Sequence, residues 1–284
     1  MTHTARPHRR KSRFTPARIA AFITLAGLAL VAVYPFVWMV LTSLRARNTI
    51  FNGPFIPEQF VFDAYPQAWQ QTQFGLHFLN SVFIAVCALA GIIFLSTTAG
   101  YAFAKLQFPY KRVSYVLLLS TMAMPATSLI IPLYLQMKTF GLLNSQLGLI
   151  LLYIGSMSPF SIFLMRAFFE VLPNELIEAA RIDGASEWGI FFRVMLPLAR
   201  AGVGTVVILQ FLSIWNEFIY ANVLLQDPSK QPLQPVVFNL VGQFNTNWPS
   251  LTAALTMAII PVVLVYVRMQ KQFVAGLTQG AVKG

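Results

Sequence analysis

The sequence predicts an all-α, polytopic membrane protein with six transmembrane helices. Only 10% of its 284 residues are charged and 57% are hydrophobic, whereas soluble domains carry roughly 25% charged residues. Uncharged stretches of about 20 residues, the length needed to cross a bilayer as a helix, recur along the chain. The basic residues flank these stretches and do not form a single patch, which argues for contact with membrane lipid and against a nucleic-acid partner.

The first three spans follow from uncharged stretches bounded by charged residues. No charge occurs within 19–44, which is predicted as span 1. Residues 64–104 are also uncharged, but the first part of this stretch is rich in glutamine and aromatic residues. Span 2 is therefore predicted over 79–103, and span 3 over 113–137.

The last three spans are shorter and are separated by polar segments. Span 4 is predicted over 146–165, after a turn at 141–145. Span 5 is predicted over 201–222 and contains one acidic residue, Glu217. Span 6 is predicted over 250–267.

The distribution of lysine and arginine predicts the orientation of the chain. Sixteen of the 20 basic residues fall in a basic tail (1–18), the loop between spans 2 and 3, the segment 166–200 between spans 4 and 5, and the end of the chain, where Arg268 directly precedes a C-terminal tail (271–284). The other four lie on the opposite side of the six-helix domain (19–270): Arg45, Arg47, Lys138 and Lys230. Cytoplasmic loops carry an excess of Lys and Arg. We therefore expect a multi-pass protein of the cell (inner) membrane with both termini in the cytoplasm.

Several kinds of chemistry have no residues to support them. The sequence contains neither a G-x-x-x-x-G-K-[S/T] phosphate loop nor an H-E-x-x-H motif. The three histidines, His3, His8 and His77, are too scattered to form a metal site together. Proton relays within a membrane normally use several buried acids or histidines, and the spans hold only Glu217. The chain is therefore expected to have no catalytic residue, to bind no cofactor or metal, and to take energy for transport from elsewhere.

The segment 166–200, which we call the 4–5 segment, holds five of the nine acidic residues. Asn174 precedes a predicted short helix with Glu175 in its first turn, where the helix dipole favours an acid. Gly184 is predicted to end this helix, because glycine accepts the left-handed conformation of a C-terminal cap. A second helix is predicted over 185–196, ending at Pro197. Such a segment either lies on the membrane surface without a partner or presents a helix to a partner.

One pattern within the 4–5 segment resembles the EAA loop of ABC-importer permeases (E-A-A-x3-G-x9-I-x-L-P), with valine where isoleucine is usual. The residues that carry the resemblance are Glu178, Ala179, Ala180, Gly184, Val194, Leu196 and Pro197. The whole chain is similar to the shorter, six-span permeases of the carbohydrate-uptake branch, such as the maltose permease. Further similarity lies in Trp215-Asn216-Glu217-Phe218 and in the C-terminal Gly276 to Gly284.

The resemblance implies the type I permease fold of ABC importers and a non-catalytic transport subunit. It implies import of a sugar, either an oligosaccharide, a disaccharide or a related polyol. The implied partners are a second permease subunit, two ATP-binding subunits that use ATP and Mg, and an extracytoplasmic solute-binding protein. In the family, the EAA loop is a coupling helix that docks on the ATPase. The residues implied to couple here are Glu178, Ala179, Ala180, Asp183, Gly184, Leu196 and Pro197, and the tail residues Lys283 and Gly284 are implied to contact the ATPase.

Other residues leave alternatives open. Glu217, with Trp215 and Asn216, either lines the solute path or outer gate or pairs within the bundle. The outer loop with Gln243, Asn245 and Asn247 either contacts the binding protein, which the family favours, or is a solvated connector. For the whole chain, the alternatives are a self-sufficient secondary carrier or channel, a structural scaffold, and an ABC importer for a non-sugar solute.

Overall fold

The computed structural model describes residues 16–46, 50, 53–241 and 246–281, and within these ranges the chain forms helices and no strand. The helices are α1 (Pro16–Ser43), α2 (Ala64–Gln71), α3 (Phe74–Lys105), α4 (Lys111–Ser120), α5 (Ile130–Thr139), α6 (Gln146–Val171), α7 (Glu175–Ile182), α8 (Glu187–Ile190), α9 (Leu196–Leu198), α10 (Arg200–Trp215), α11 (Ile219–Leu224), α12 (Leu233–Phe238) and α13 (Trp248–Ala281). In this part of the chain, α1, α3, α6 and α13 are long and apolar enough to cross a membrane, and two bent helix pairs raise the number of candidate spans to six. The predicted all-α, polytopic fold is confirmed.

The centre of the bundle is the packing of α3 against α6. Ile84 and Ile92 of α3 and Leu149 and Met165 of α6 are almost fully buried. The two backbones approach each other closely at Gly100 of α3, which faces Met165. Small residues permit such close approach, and close packing is a main source of stability between helices in lipid.

The helices α13 and α1 differ in how much of their surface is buried within the chain. α13 packs against α10, where the buried Trp215 donates from Nε1 to the carbonyl oxygen of Ala258 at 3.1 Å. α1 contacts α13, but none of the residues in its most apolar window is buried within the chain. The apolar side chains of α1 are therefore available to lipid or to another subunit.

The segment predicted as span 3, 113–137, is divided in the structure. α4 and α5, each extended by a short 3₁₀ turn, differ in direction by 94°. The break has a local cause at Pro125. The residue before a proline is forced away from helical backbone angles, and Met124 has φ −80° and ψ 123°.

The segments predicted as spans 5 and 6 also differ from single helices over 201–222 and 250–267. Span 5 is divided into α10 and α11, with residues 216–218 between them. α13 begins near the predicted start of span 6 but continues as one helix through Ala281, far into the predicted tail 271–284. These two features place Glu217 at a helix break and extend α13 well beyond the length needed to cross a bilayer.

Candidate functional site

The first helix of the 4–5 segment begins where the sequence predicts. Asn174 occupies the N-cap position of α7, and Glu175 and Glu178 lie in its first turn. Lys105, at the end of α3, donates from Nζ to the carbonyl oxygen of Leu172 at 2.5 Å and to Oδ1 of Asn174 at 2.8 Å. The start of α7 is therefore fastened to the end of a long helix of the bundle.

The end of α7 confirms the predicted role of Gly184. Its φ is +80°, in the left-handed region. Its backbone N–H donates to the carbonyl oxygen of Arg181, and the N–H of Ala185 donates to that of Ala180, each at 3.0 Å. This pair of bonds is the Schellman motif, which satisfies carbonyl groups at a helix end and reverses the chain. It positions α8 beside α7.

An ion pair and a cap stabilise the turn between α7 and α8. Arg181 donates from Nε to Oε1 of Glu187 at 2.7 Å. The hydrogen bond from Arg181 lowers the pKa of the Glu187 carboxyl, and the same bond raises the pKa of Arg181. Ser186 accepts at Oγ from the backbone N–H of Gly189 at 3.2 Å and so caps α8. Both side chains of the pair are about half exposed, so the ion pair itself adds little stability.

The prediction that the second helix ends at Pro197 is wrong. A π-helical turn, Phe191–Met195, precedes α9, and helical backbone continues through Leu198. Proline lacks an N–H and collides with the carbonyl group four residues earlier in a regular α-helix. The wider π turn changes the bonding pattern ahead of Pro197. The sharp bend, 73° between this helical stretch and α10, comes after Leu198.

Most of α7 lies on the surface. In this helix only Ile177 is buried, and Ile182 is 87% exposed. Among the residues that the family implies for coupling, Ala180 and Leu196 are half-buried and the others are exposed: Glu178, Ala179, Asp183, Gly184 and Pro197. The structure therefore places Glu178 to Gly184 in the last part of α7 and its C-terminal cap, where most of these residues are exposed, whereas Leu196 and Pro197 follow the π turn.

The carboxylate of Glu217 is held by groups of this chain. Its Oε2 accepts from the Tyr153 hydroxyl at 2.6 Å and from the backbone N–H of Ala221 at 3.0 Å, and its Oε1 accepts from that of Tyr220 at 2.8 Å. Glu217 lies in the break of the predicted fifth span, and its carboxylate caps the start of α11. Through Tyr153, the same carboxylate also connects this break to α6. These contacts fit the interpretation of Glu217 as a residue that pairs within the bundle.

The neighbours of Glu217 also make contacts within the chain. Trp215 is buried and stacks on Phe211 at a centroid distance of 5.4 Å. Asn216 is exposed and donates from Nδ2 to the carbonyl oxygen of Leu212 at 2.8 Å. Of the three residues assigned to the solute path or gate, Asn216 has the most accessible side chain.

Replacing Glu217 with glutamine is expected to destabilise the bundle by about 1–3 kcal/mol, because a charged acceptor is lost and buried donors lose a partner. Tyr153→Phe, which removes one of the three donors and leaves the carboxylate capping α11, is the milder matched change. Thermal unfolding in detergent would measure both. If Glu217→Gln unfolds like the unmodified chain but changes the apparent KM for uptake, Glu217 belongs to the solute path.

The opposite end of the bundle carries polar loops. Asn247 begins α13 by accepting at Oδ1 from the backbone N–H of Ser250 at 3.4 Å. Gln243 and Asn245, like Lys283 and Gly284, lie outside the described residues. Close to this loop, a cavity of about 700 Å³ is lined by polar side chains that include Gln73, His77 and Asn239. The loop surface can therefore offer many hydrogen-bonding groups to a polar partner.

Three residues of these sites, Ser186, Lys105 and Tyr153, were not predicted from the sequence. Ser186 stands directly before Glu187, a recognisable N-cap position that could have been found. Lys105 and Tyr153 meet partners 64 to 69 residues away. No local signal predicts such pairs.

Comparison with known proteins identifies the family. The model of the family described as "Binding-protein-dependent transport system inner membrane component" matches residues 92–279. The diacetylchitobiose uptake system permease protein NgcG of Streptomyces coelicolor is 36% identical over 255 residues, covering 89% of this chain and 84% of the relative. The galactooligosaccharides transport system permease protein GanQ of Bacillus subtilis is 31% identical over 268 residues, covering 93% and 95%.

A solved structure agrees with this result. One chain of a bacterial ABC transporter involved in the import of the acidic polysaccharide alginate superposes with a TM-score of 0.81 at 28% identity, over 93% of this chain and 100% of the other. The family model covers α6, the 4–5 segment, the break at Glu217 and most of α13 in a single match. The chain belongs to the family of binding-protein-dependent transport system inner membrane components.

Proposed function

We propose that this chain is one of two permease subunits of an ATP-driven importer, and that it translocates an oligosaccharide, a disaccharide or a related polyol delivered by an extracytoplasmic binding protein. The observation that carries the proposal is the largely exposed end of α7, from Glu178 to Gly184. An amphipathic helix that leaves Ile182 87% exposed, at the end of a bundle without an energy source of its own, is suited to receive a partner. The sugar class is supported by the names of NgcG and GanQ.

In this proposal both termini and the 4–5 segment face the cytoplasm, as the excess of Lys and Arg there favours. Two ATP-binding subunits use ATP and Mg, and one of them receives α7. Loaded binding protein docks on the polar loops of the opposite end, near Asn247. Closure of the ATP-binding subunits then moves α7 and, through Lys105, the end of α3.

Affinity purification from the native membrane in mild detergent tests this proposal. We expect an ATP-binding subunit and a second permease to co-purify and to be identified by mass spectrometry. The binding protein of the same system would then stimulate ATP hydrolysis by the reconstituted complex when it carries its sugar, and a sugar panel would identify the solute. Recovery of this chain alone, stable and monodisperse and able to drive solute flux in liposomes, would favour a self-sufficient carrier or channel instead.

A further inference from the structure

A second cavity, of about 640 Å³, lies between the end of α3 and the part of the 4–5 segment where α7 ends and α8 begins. Aromatic side chains supply much of its wall, among them Tyr101, Trp188 and Phe191. Its charged lining residues are Lys105, Arg181 and Glu187. None of the residues implied to couple to an ATPase lines this cavity.

The Tyr101 hydroxyl, which belongs to the lining, has no hydrogen-bond partner in the part of the chain that the structure describes. The side chain of Tyr101 is 5% exposed, and its hydroxyl makes no hydrogen bond to any group of the described residues. The ring is held between Phe169 and Phe191, at centroid distances of 5.5 and 5.2 Å. A buried hydroxyl without a partner is costly, so its presence beside a cavity points to a ligand that supplies a hydrogen-bond acceptor.

The charges of the lining favour an anion. Glu187 is neutralised by Arg181 at 2.7 Å. Lys105 donates to two neutral oxygen atoms and, within the described ranges, makes no ion pair. The lining therefore carries one positive charge, on Lys105, that no acid of the described residues pairs with, in the same cavity as the Tyr101 hydroxyl. Tyr101 is about one helical turn, roughly 6 Å, from the end of α3, which places both groups at the depth of the lipid headgroups if α3 spans the bilayer.

We propose that this cavity binds a phosphate-bearing anionic lipid, with the phosphate accepting from Tyr101 and Lys105 and the upper part of the acyl chains against Trp188 and Phe191. Trp188 is 64% exposed, and an indole at a membrane boundary suits the junction of headgroup and acyl chain. The lipid would bridge α3 and α8, so its binding would stiffen the connection between the bundle and α7.

The test uses the full-length chain, with the subunits it retains, in nanodiscs of phosphatidylcholine with and without phosphatidylglycerol. Phosphatidylglycerol is expected to raise the unfolding temperature saturably and to be retained in native mass spectrometry. Tyr101→Phe should weaken retention about ten-fold, as loss of a hydrogen bond to a charged group does. In phosphatidylcholine alone the same variant should be as stable as the unmodified chain or more so, because an unsatisfied buried hydroxyl has gone.

A pair of variants distinguishes specific binding of anionic lipid in the cavity from non-specific electrostatic attraction to basic residues. Lys105→Gln and Arg112→Gln each remove one positive charge near the same boundary, but Arg112 does not line the cavity. Only Lys105→Gln should reduce retention. Equal losses in both variants, or an unchanged phosphatidylglycerol effect in Tyr101→Phe, would overturn the proposal. Stabilisation by glycerol phosphate added to the buffer, without anionic lipid, would assign the cavity to a soluble phosphate and overturn the lipid assignment. These readouts measure lipid binding and stay informative even if the importer assignment fails.

Discussion

Uptake of the solute is expected to fall at least ten-fold when Gly184 is replaced with valine, while the helical bundle remains folded. The φ of +80° at Gly184 lies in a region that β-branched residues avoid. Holding a side chain there costs about 1–3 kcal/mol, and each 1.4 kcal/mol is a factor of ten in population. The variant should therefore abandon the Schellman motif, and α7 should no longer present Glu178 and Ala179 in the native arrangement.

The folded bundle should survive, because no atom of the described chain lies within 4 Å of a Cβ built on Gly184. The measurement is uptake by membrane vesicles, with circular dichroism and thermal unfolding of the purified variant as the test of folding. Normal uptake by Gly184→Val would show that this turn does not transmit ATP-driven movement.

Gly184→Asn is the matched variant that tests whether the loss of uptake in Gly184→Val comes from backbone conformation or from the added side chain. Asparagine adds a side chain but tolerates the left-handed conformation. If backbone conformation is what matters, Gly184→Asn should transport well and Gly184→Val poorly. If both fail, the partner subunit approaches so closely that no side chain fits, because the chain itself leaves the space open.

Replacing Gly100 with alanine is expected to destabilise the whole bundle by about 1–3 kcal/mol, as overpacking of a close-packed interior does. A Cβ on Gly100 would lie 2.8 Å from Cβ of Met165 and 3.0 Å from the backbone nitrogen of Arg166. Backbone atoms of α6 cannot move aside independently, so α3 and α6 would have to separate. Thermal unfolding in detergent would detect the loss.

Alanine substitutions at two other glycines, Gly155 and Gly91, should destabilise the bundle less than Gly100→Ala. A Cβ on Gly155 of α6 would meet no atom within 4 Å, so Gly155→Ala should be neutral or stabilise by up to about 1 kcal/mol through helix propensity. A Cβ on Gly91 would meet Cδ1 and Cγ1 of Ile154. This clash involves one β-branched side chain and no backbone atom, so repacking of that side chain relieves it without separating the helices. The expected order of stability is Gly155→Ala, then Gly91→Ala, then Gly100→Ala. Equal unfolding temperatures for Gly100→Ala and Gly155→Ala would contradict the close packing of α3 on α6.

The local features of this protein could be predicted from the sequence. Long uncharged stretches predict membrane helices because the hydrocarbon core admits few charges. The start of α7 at Asn174 and its end at Gly184 follow from the dipole and from the unique backbone freedom of glycine. The spacing from Glu178 to Pro197 led to the family that the comparisons confirm. Each of these inferences depends on residues that are neighbours in the chain.

The path of the chain within a span was less predictable. Prolines occur inside α1, α6 and α13 without ending them, whereas the chain breaks at Pro125. The same residue type therefore gives either a tolerated kink or a 94° bend. Neighbouring helices decide which, since they either satisfy the carbonyl group that a proline leaves free or do not.

The class of protein, the helices and the exposed turn at Gly184 follow from the sequence, since they depend on composition and on interactions within a few residues. Three features follow only from the tertiary structure. Tyr153 of α6 donates to Glu217, Lys105 joins the end of α3 to the start of α7, and the Tyr101 hydroxyl has no hydrogen-bond partner among the described residues. Each of these depends on groups brought together from distant parts of the chain. Burial makes such groups consequential, because a polar atom removed from water must find a partner or remain a cost.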